Sequence, residues 1–444
     1  MSLFGAINTA ISGLGAQSTA FGNISEDVAN SQTVGFKRVD TSFVNYLTTS
    51  TPTENEPGSV VATPDYVNNV QGTITQTDNP LGMAIAGQGF FAVSKATSDV
   101  NNVPTFNPQQ YYTRAGDFSM NAAGYLVNSA GLYLNGWSVD PATSAVNQNA
   151  LAPIQVSQST YNPVATSSVT LAANLPATPT TGTATAASPL SSDITVYDSL
   201  GTAHTVALNW TKNATNDWTV QVSVPDNTTG TTDLGAADVQ FGSTSGNAVA
   251  DGTIGSVAAS ATDPGTVTTS TYGAGATSSL SFTADFGTGA QTIQVNLGTY
   301  GGTNGVTQYA GTSYSLLGLT QNGIPPGSFS GVTTQANGDV VVNYNNGQSR
   351  TIAQIPIVTF NAPNALQSQN GQSFTATTES GTPLAESAGT SGAGNIVTGS
   401  VEGSNVDIAT EFSNLIVAQQ AYSSNAKVVT TANQMLQATL QMVA

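Results

Sequence analysis

Ser404-Asn405-Val406-Asp407-Ile408-Ala409-Thr410-Glu411-Phe412-Ser413-Asn414-Leu415 opens a stretch, residues 404–444, that holds neither glycine nor proline. Ser404 followed three places on by Asp407 reads as a capping box at a helix start. Ile408, Leu415, Tyr422, Val429, Leu436 and Val443 then recur every seven residues. Phe412, Ala426 and Leu440 form a patchier companion line, four places after alternate members of the first. A helix over this stretch would be about 60 Å long at 1.5 Å per residue. At the opposite end Ile7, Leu14, Phe21 and Val28 keep the same interval, with Leu3, Ala10 and Ile24 in companion places. Seven-residue apolar stripes at both ends of one chain predict that the ends pair as a coiled coil.

The flanks of those stripes are unusual. Residues 404–444 carry only Asp407, Glu411 and Lys427 as charges, and residues 1–35 only Glu26 and Asp27. A solvated two-stranded coil normally lines its flanks with Glu and Lys. Ala, Ser, Thr, Asn and Gln stand there instead, which suits helices surrounded by other helices; a plain intramolecular hairpin is the alternative. Left uncovered, such stripes would leave apolar area in water at roughly 25 cal/mol per Å². Isolated helices are marginal without packing, so both ends are expected to be disordered in the free monomer and to fold on assembly.

Between the ends the period drops to two. All 19 prolines fall between Pro52 and Pro383. Trp218, Val220, Val222 and Val224 alternate with polar residues, as do Leu280, Phe282, Ala284 and Phe286, and again Ile293, Val295 and Leu297; each run predicts a half-buried strand. Asn346-Gly347 between Val340–Val342 and Arg350–Ile352 predicts a hairpin. The stretch 225–275, poor in large apolar residues, reads as a loose insertion or the weakly packed edge of a β-domain.

Composition narrows the function classes. With 444 residues, two to three domains are expected. Only 7% of residues are charged, so the surface must be polar and neutral, as suits turn-rich β-structure and subunits packed side by side. A net charge of −18 with seven cations argues against nucleic acid and anionic membranes as partners, since both need clustered cations. The absence of cysteine excludes disulfides and thiolate chemistry. No apolar run is long enough for membrane insertion, and the start Met1-Ser2-Leu3-Phe4 lacks the positive region of a cleaved secretory signal.

Chemistry finds few footholds. The lone histidine, His204, has no Gly-x-Ser-x-Gly elbow or metal-ligand spacing around it, and reads as a turn or interface residue. Gly87-Gln88-Gly89-Phe90-Phe91 lacks the third glycine, the lysine and the following helix of a phosphate loop, so a tight turn feeding a strand is expected. Lys37-Arg38 is expected to solvate a turn or to meet a carboxylate of a neighbouring copy. No catalytic residue, metal site or cofactor site is read. A β-rich surface adhesin and a glycan-active enzyme are the competing classes; the twin heptads disfavour the first, and the lack of paired carboxylates the second.

Ser12-Gly13-Leu14, continuing to Ala29-Asn30-Ser31-Gln32-Thr33-Val34-Gly35-Phe36-Lys37-Arg38, resembles the N-terminal signature of the flagellar axial proteins, the family of rod, hook and hook-associated subunits. Val401-Glu402-Gly403-Ser404-Asn405-Val406-Asp407, continuing through Phe412 and Tyr422, resembles the matching C-terminal signature. Glu26-Asp27 stand where that family usually has asparagines, and Gln420 where an arginine is common. Tyr197–Gly201 with His204, and the return through Asn322-Gly323-Ile324 to Ile357–Phe360, resemble segments of hook rather than distal-rod subunits.

The resemblance implies a multi-domain fold of terminal α-helices pairing as a coiled coil plus nested all-β domains of sandwich or barrel kind. Residues 1–33 and 398–444 would be the helices of the inner tube, and 34–80 an extended connector. Residues 81–150 and 322–397 would form an inner β-domain, and 151–321 an outer β-domain inserted into it. It implies a homopolymer: the flagellar hook, the flexible curved tube that links the basal-body rod to the filament, outside the cell. It also implies contact with rod and hook–filament junction proteins, a hook cap during assembly and the export apparatus, with a distal-rod subunit as the alternative.

Overall fold

A computed structural model describes residues 3–50, 55–100, 103–141, 143–178 and 188–443. Leu3, Leu440 and Val443, all members of the stripes above, lie outside the residues whose side chains are described. The chain divides into two compact units: residues 1–158, 330–343 and 349–444 form the first, and 159–329 with 344–348 the second.

The first unit begins with helix α1, Leu3–Ala29, and ends with helix α2, Ile408–Val443. The Asp407 carboxylate caps α2, accepting from the Ala409 and Thr410 amides at 2.9 and 3.2 Å. The predicted box at Ser404 is corrected by three residues. Asn405 is tied to the connector, accepting from the Arg38 amide at 2.8 Å and donating to the Val67 carbonyl at 3.0 Å, so the backbone cannot turn helical before Asp407. The connector itself is not a bare linker. Strands β1, Val39–Ser50, and β2, Asn55–Tyr66, form a long antiparallel hairpin with Phe43 opposite Ala62 and Val44 opposite Val61.

The β-body of this unit is built around strand Phe90–Val100. It pairs with Leu132–Val139 (Leu134 opposite Val93), with Tyr111–Thr113 (Tyr112 opposite Ala92) and with Ile357–Thr359 (Ile357 opposite Phe91). Phe91, Phe118, Leu134, Val340, Val342 and Ile355 fill its interior. The turn Gly87-Gln88-Gly89 runs directly into that strand. The hairpin at Asn346-Gly347 forms as predicted, with Val342 opposite Arg350. Two short ladders stitch the approach to α2 onto early strands: Ile396 lies opposite Ile85, and Val401 opposite Thr75.

The second unit is two sheets over one core. One holds five antiparallel strands from Leu190–Tyr197 to Ile254–Ala259, the other six, including Ser168–Asn174, Thr277–Asp285 and Ala290–Thr299. The period-two runs land as read, Leu280 pairing with Val295 and Phe282 with Ile293. Trp210, Trp218, Phe241 and Phe282 are fully enclosed. The stretch 225–275 is not a loose insertion: strands Asp233–Phe241 and Ile254–Ala259 bury Leu234, Val239, Phe241, Ile254 and Val257 in the shared core. Alanine and glycine between these anchors hid the pattern from composition. His204 sits on strand Ala203–Ala214 rather than in a turn, its ring stacked on Phe286 at 4.1 Å and flanked by Asp226 and Asp198 at 3.3 and 3.6 Å.

Large-to-small changes in such a core cost the transfer energy plus a cavity. Trp218→Ala is therefore expected to lower the stability of the second unit by about 3–5 kcal/mol, measured by denaturant unfolding.

Candidate assembly surface

The terminal helices pack against one another in antiparallel sense. Gly13 faces Asn425, Phe21 meets Tyr422 edge to face at 6.4 Å, and Asp27 lies near Glu411. The buried positions of α1 are Ala10, Gly13, Ala16, Ala20, Ile24 and Asp27. Those of α2 are Glu411, Ala418 and Ala432, with Asn425 half-buried between the last two. A Cβ on Gly13 would stand 2.8 Å from the Asn425 side-chain nitrogen, closer than real contacts allow. Small residues thus hold the contact line.

The predicted stripes run beside that line. Ile7, Leu14, Phe21 and Val28 on α1, and Leu415, Val429 and Leu436 on α2, are half-buried. Ile408, Phe412 and Tyr422 are exposed, by 39%, 52% and 43%. Of the companion line, Phe412 is exposed and Ala426 half-buried. The buried members of α2 among the described residues are Glu411, Ala418 and Ala432; the two alanines are small enough to let the backbones approach. Beyond them Phe4, Ile11, Ile416, Val417, Val428 and Met435 are exposed on the helices, and Phe43, Val44, Tyr46 and Leu47 on β1. Isolated exposed apolar residues mean little, but a long run of them marks an interaction surface.

The two signature segments meet at one joint. The Glu402 side chain is wholly buried and receives Lys37 Nζ at 2.5 Å and an Arg114 guanidinium nitrogen at 2.8 Å. The Gly72 amide donates to the same carboxylate at 2.9 Å. Lys37 also donates to the Val70 carbonyl at 2.7 Å, and Arg114 to the Ile85 and Gly87 carbonyls at 3.2 and 2.7 Å. Burial pulls the Lys37 ammonium below its usual range, and Glu402 opposes that pull. The reading of Lys37 as a solvated or intersubunit cation is corrected: it is enclosed within its own chain because Glu402 lies under it. Gly35 donates its amide to the Glu402 carbonyl at 2.8 Å in a left-handed conformation, φ 69°. A Cβ there would stand 2.3 Å from the Ala115 nitrogen, so glycine is required.

The remaining signature residues are local fasteners. Ser12 Oγ accepts from the Val60 amide at 3.1 Å, tying α1 to β2. Thr33 Oγ1 donates to the Asn30 side chain at 3.1 Å just beyond α1, where Ala29 is exposed and Phe36 buried. Ser404 Oγ accepts from the Val406 amide at 3.3 Å. Sequence reading did not single out Glu402, Arg114 or Asp27 as joint residues. The one available signal was scarcity: in a chain with seven cations, each is suspect.

Asp27, 1% exposed, accepts from the Val39 amide, yet burial pushes its carboxyl up to about 7. Beside it burial also raises Glu411, which has Arg38 only at 3.9 Å.

Removing one partner of a buried ion pair strands the others without solvent. Glu402→Gln should cost about 3–5 kcal/mol in thermal or denaturant unfolding of the first unit. For Asp27, a folded-state value above the unfolded one means stability is greatest below about pH 4 and is lost as pH rises through about 7. Asp27→Asn, which keeps an acceptor for Val39, should flatten that loss in urea midpoints of the assembled polymer measured between pH 4 and 8.

Comparison with known proteins gives this surface its context. Residues 84–174 match the family described as flagellar hook protein FlgE/F/G D1 domain, and residues 167–324 the flagellar basal body protein FlaE D2 domain. Residues 397–442 match the flagellar basal body rod FlgEFG protein C-terminal family. The flagellar hook protein of Brucella suis is 30% identical over 436 residues, covering 98% of this chain and 98% of that protein. That of Salmonella typhimurium is 29% identical over 439 residues, covering 96% and 97%. The Helicobacter pylori flagellar hook protein FlgE2 crystal structure is 14% identical, with a TM-score of 0.45 over 72% of this chain and 98% of that one. Similar to the Brucella protein from end to end, the chain belongs to the flagellar hook protein family and is a structural subunit of the hook.

Proposed function

We propose that the helix pair acts as a coiled coil whose outward apolar residues are covered only by the same helices of neighbouring copies, so that this surface drives growth of the tube. The observation that carries the reading is the division of labour between side chains. Ala and Gly occupy the contact line within the chain, while Phe4, Ile11, Phe412, Ile416, Val417, Val428 and Met435 face outward. Covering each such large side chain contributes about 1.5–3 kcal/mol, which adds to helix hydrogen bonding and packing within the chain in offsetting the ordering entropy of the two helices. In the free monomer both ends are loose and order on joining a growing end.

Around that inner tube, 34–80 serves as connector, 81–150 with 322–397 as inner β-domain, and 151–321 as outer β-domain. The contiguity of 159–329 as one compact unit supports the last assignment. Outer domains with few charges and many small polar residues would make weak contacts that slide while the tube bends, with the packed helices giving cohesion. The rod and junction proteins bind the two ends of the polymer, a cap guides its growth, and the chain reaches the tip unfolded through the export apparatus. Among the described residues no helix is long and apolar enough to cross a membrane.

Deleting residues 404–444 should leave folded, soluble β-units that no longer polymerise, seen as tubes lost from electron micrographs with the β circular-dichroism signal retained. Tubes formed by the truncated chain would refute the reading. Amide exchange on monomer should find residues 408–443 unprotected; strong protection there would place the ordering before assembly.

A further inference from the structure

Between α1, α2 and β1 lies a groove of about 420 Å³. Ala20, Ile24, Phe43, Val417 and Ala418 give it apolar walls, and Arg38, Asp40 and Glu411 its charge. Two carboxylates, Asp40 and Glu411, flank one guanidinium. Arg38 stands 3.3 Å from Asp40 and 3.9 Å from Glu411, so it is divided between them and satisfies one. Glu411 is 2% exposed, and its Oε1 accepts no hydrogen bond. That enclosed oxygen has lost its water without a hydrogen bond in return, and two carboxylates share one cation. Burial raises the Glu411 carboxyl, opposed by a hydrogen bond from Asn414 and by Arg38.

Candidates for the missing cation are few. Of seven in the chain, Lys37 and Arg114 are held by Glu402, Arg38 is already present, Lys212 donates to the Ala177 carbonyl above Trp218, and Lys95 and Arg350 sit on β-body strands opposite Leu132 and Val342, away from the terminal helices. Lys427 is exposed, forms no ion pair among the described residues, and is the one cation on either terminal helix. It lies on α2, sixteen residues beyond Glu411, or about 24 Å along the axis. It therefore cannot fold back to the groove of its own chain. Its neighbours Asn425 and Val429 are half-buried toward α1, so Lys427 points away from the pair.

We infer that the groove seats Lys427 of a second copy, displaced by about 24 Å along the helix axis. The aliphatic stem of lysine fits walls of Ala, Ile, Phe and Val, and its ammonium meets Asp40, which is more open than Glu411. Arg38, released from Asp40, then closes on Glu411. Groove and lysine are different patches of one surface, so the contact is head to tail and repeats without closing, as a tubular polymer requires. The inference rests on the assembly reading above and adds a register to it: neighbours are set by one ion pair on a surface otherwise nearly free of charge.

Carbodiimide coupling of wild-type polymer grown from mixed ¹⁴N and ¹⁵N chains tests it. Isotopically mixed cross-links from Lys427 to Asp40 or Glu411 are expected by mass spectrometry. In parallel, Lys427→Glu should raise the critical concentration for polymerisation by about tenfold, and Asp40→Lys in the same chain should restore it. Cross-links from Lys427 to other residues, none at all in intact polymer, or wild-type assembly by Lys427→Glu would overturn the inference and leave the assembly reading standing. Wild-type chain that forms no polymer would overturn both.

Discussion

A carboxylate taken out of water needs donors close enough to replace its hydration, and Glu402 has three. Lys37 comes from the segment after α1, Arg114 from the β-body and Glu402 from the approach to α2, so one buried group closes a joint across most of the chain. Sealed at this point, the two helices must start from the same place on the β-body, and their antiparallel packing follows. Buried ion pairs add little net stability over apolar packing, but they tolerate no substitute geometry. What Glu402 contributes is therefore position. A protein that passes mechanical load between helices and β-domains has use for such a joint.

The helix pair solves a packing conflict. Two helices that bury their largest side chains against each other have nothing left to offer other copies. This chain places Ala10, Gly13, Ala20, Ala418 and Ala432 between its helices and keeps Phe412, Ile416, Val417 and Met435 outside. The close approach gained from small residues supports the pair, and the large residues remain for a lattice of many copies.

Charge is rationed in the same spirit. With 7% of residues charged, most contacts carry no long-range electrostatic preference, and the few charges present acquire specificity. Glu402 takes two cations and the acidic cluster around Arg38 takes one. The exposed lysine of α2 stands nearly alone on its helix. Asp27, where the family usually has asparagine, gives this chain an acid at a buried helix end, and with it a dependence on pH that an amide would lack.

Much of the fold was legible in the residues themselves. Period seven located both helices, and period two located the strands of Trp218, Phe282 and Val295. Asn346-Gly347 set a hairpin that forms as expected. These features depend on neighbours a few places apart, and short-range sterics and burial periodicity fix them. The partners of the charges were not legible: Lys37 and Glu402 are separated by 365 positions, and no spacing rule reaches that far. Nor could the sequence say which face of a heptad stripe lies against its own chain, since Ala418 and Phe412 are equally compatible with a helix. Nor could it place the cap at Asp407, because Asn405 is drawn off by backbone groups that only the tertiary structure brings near. Sequence determined the elements and the surface they would need to cover. Tertiary packing decided which side chains are consumed within the molecule and which are left for its neighbours, because that choice depends on how closely two backbones can come together.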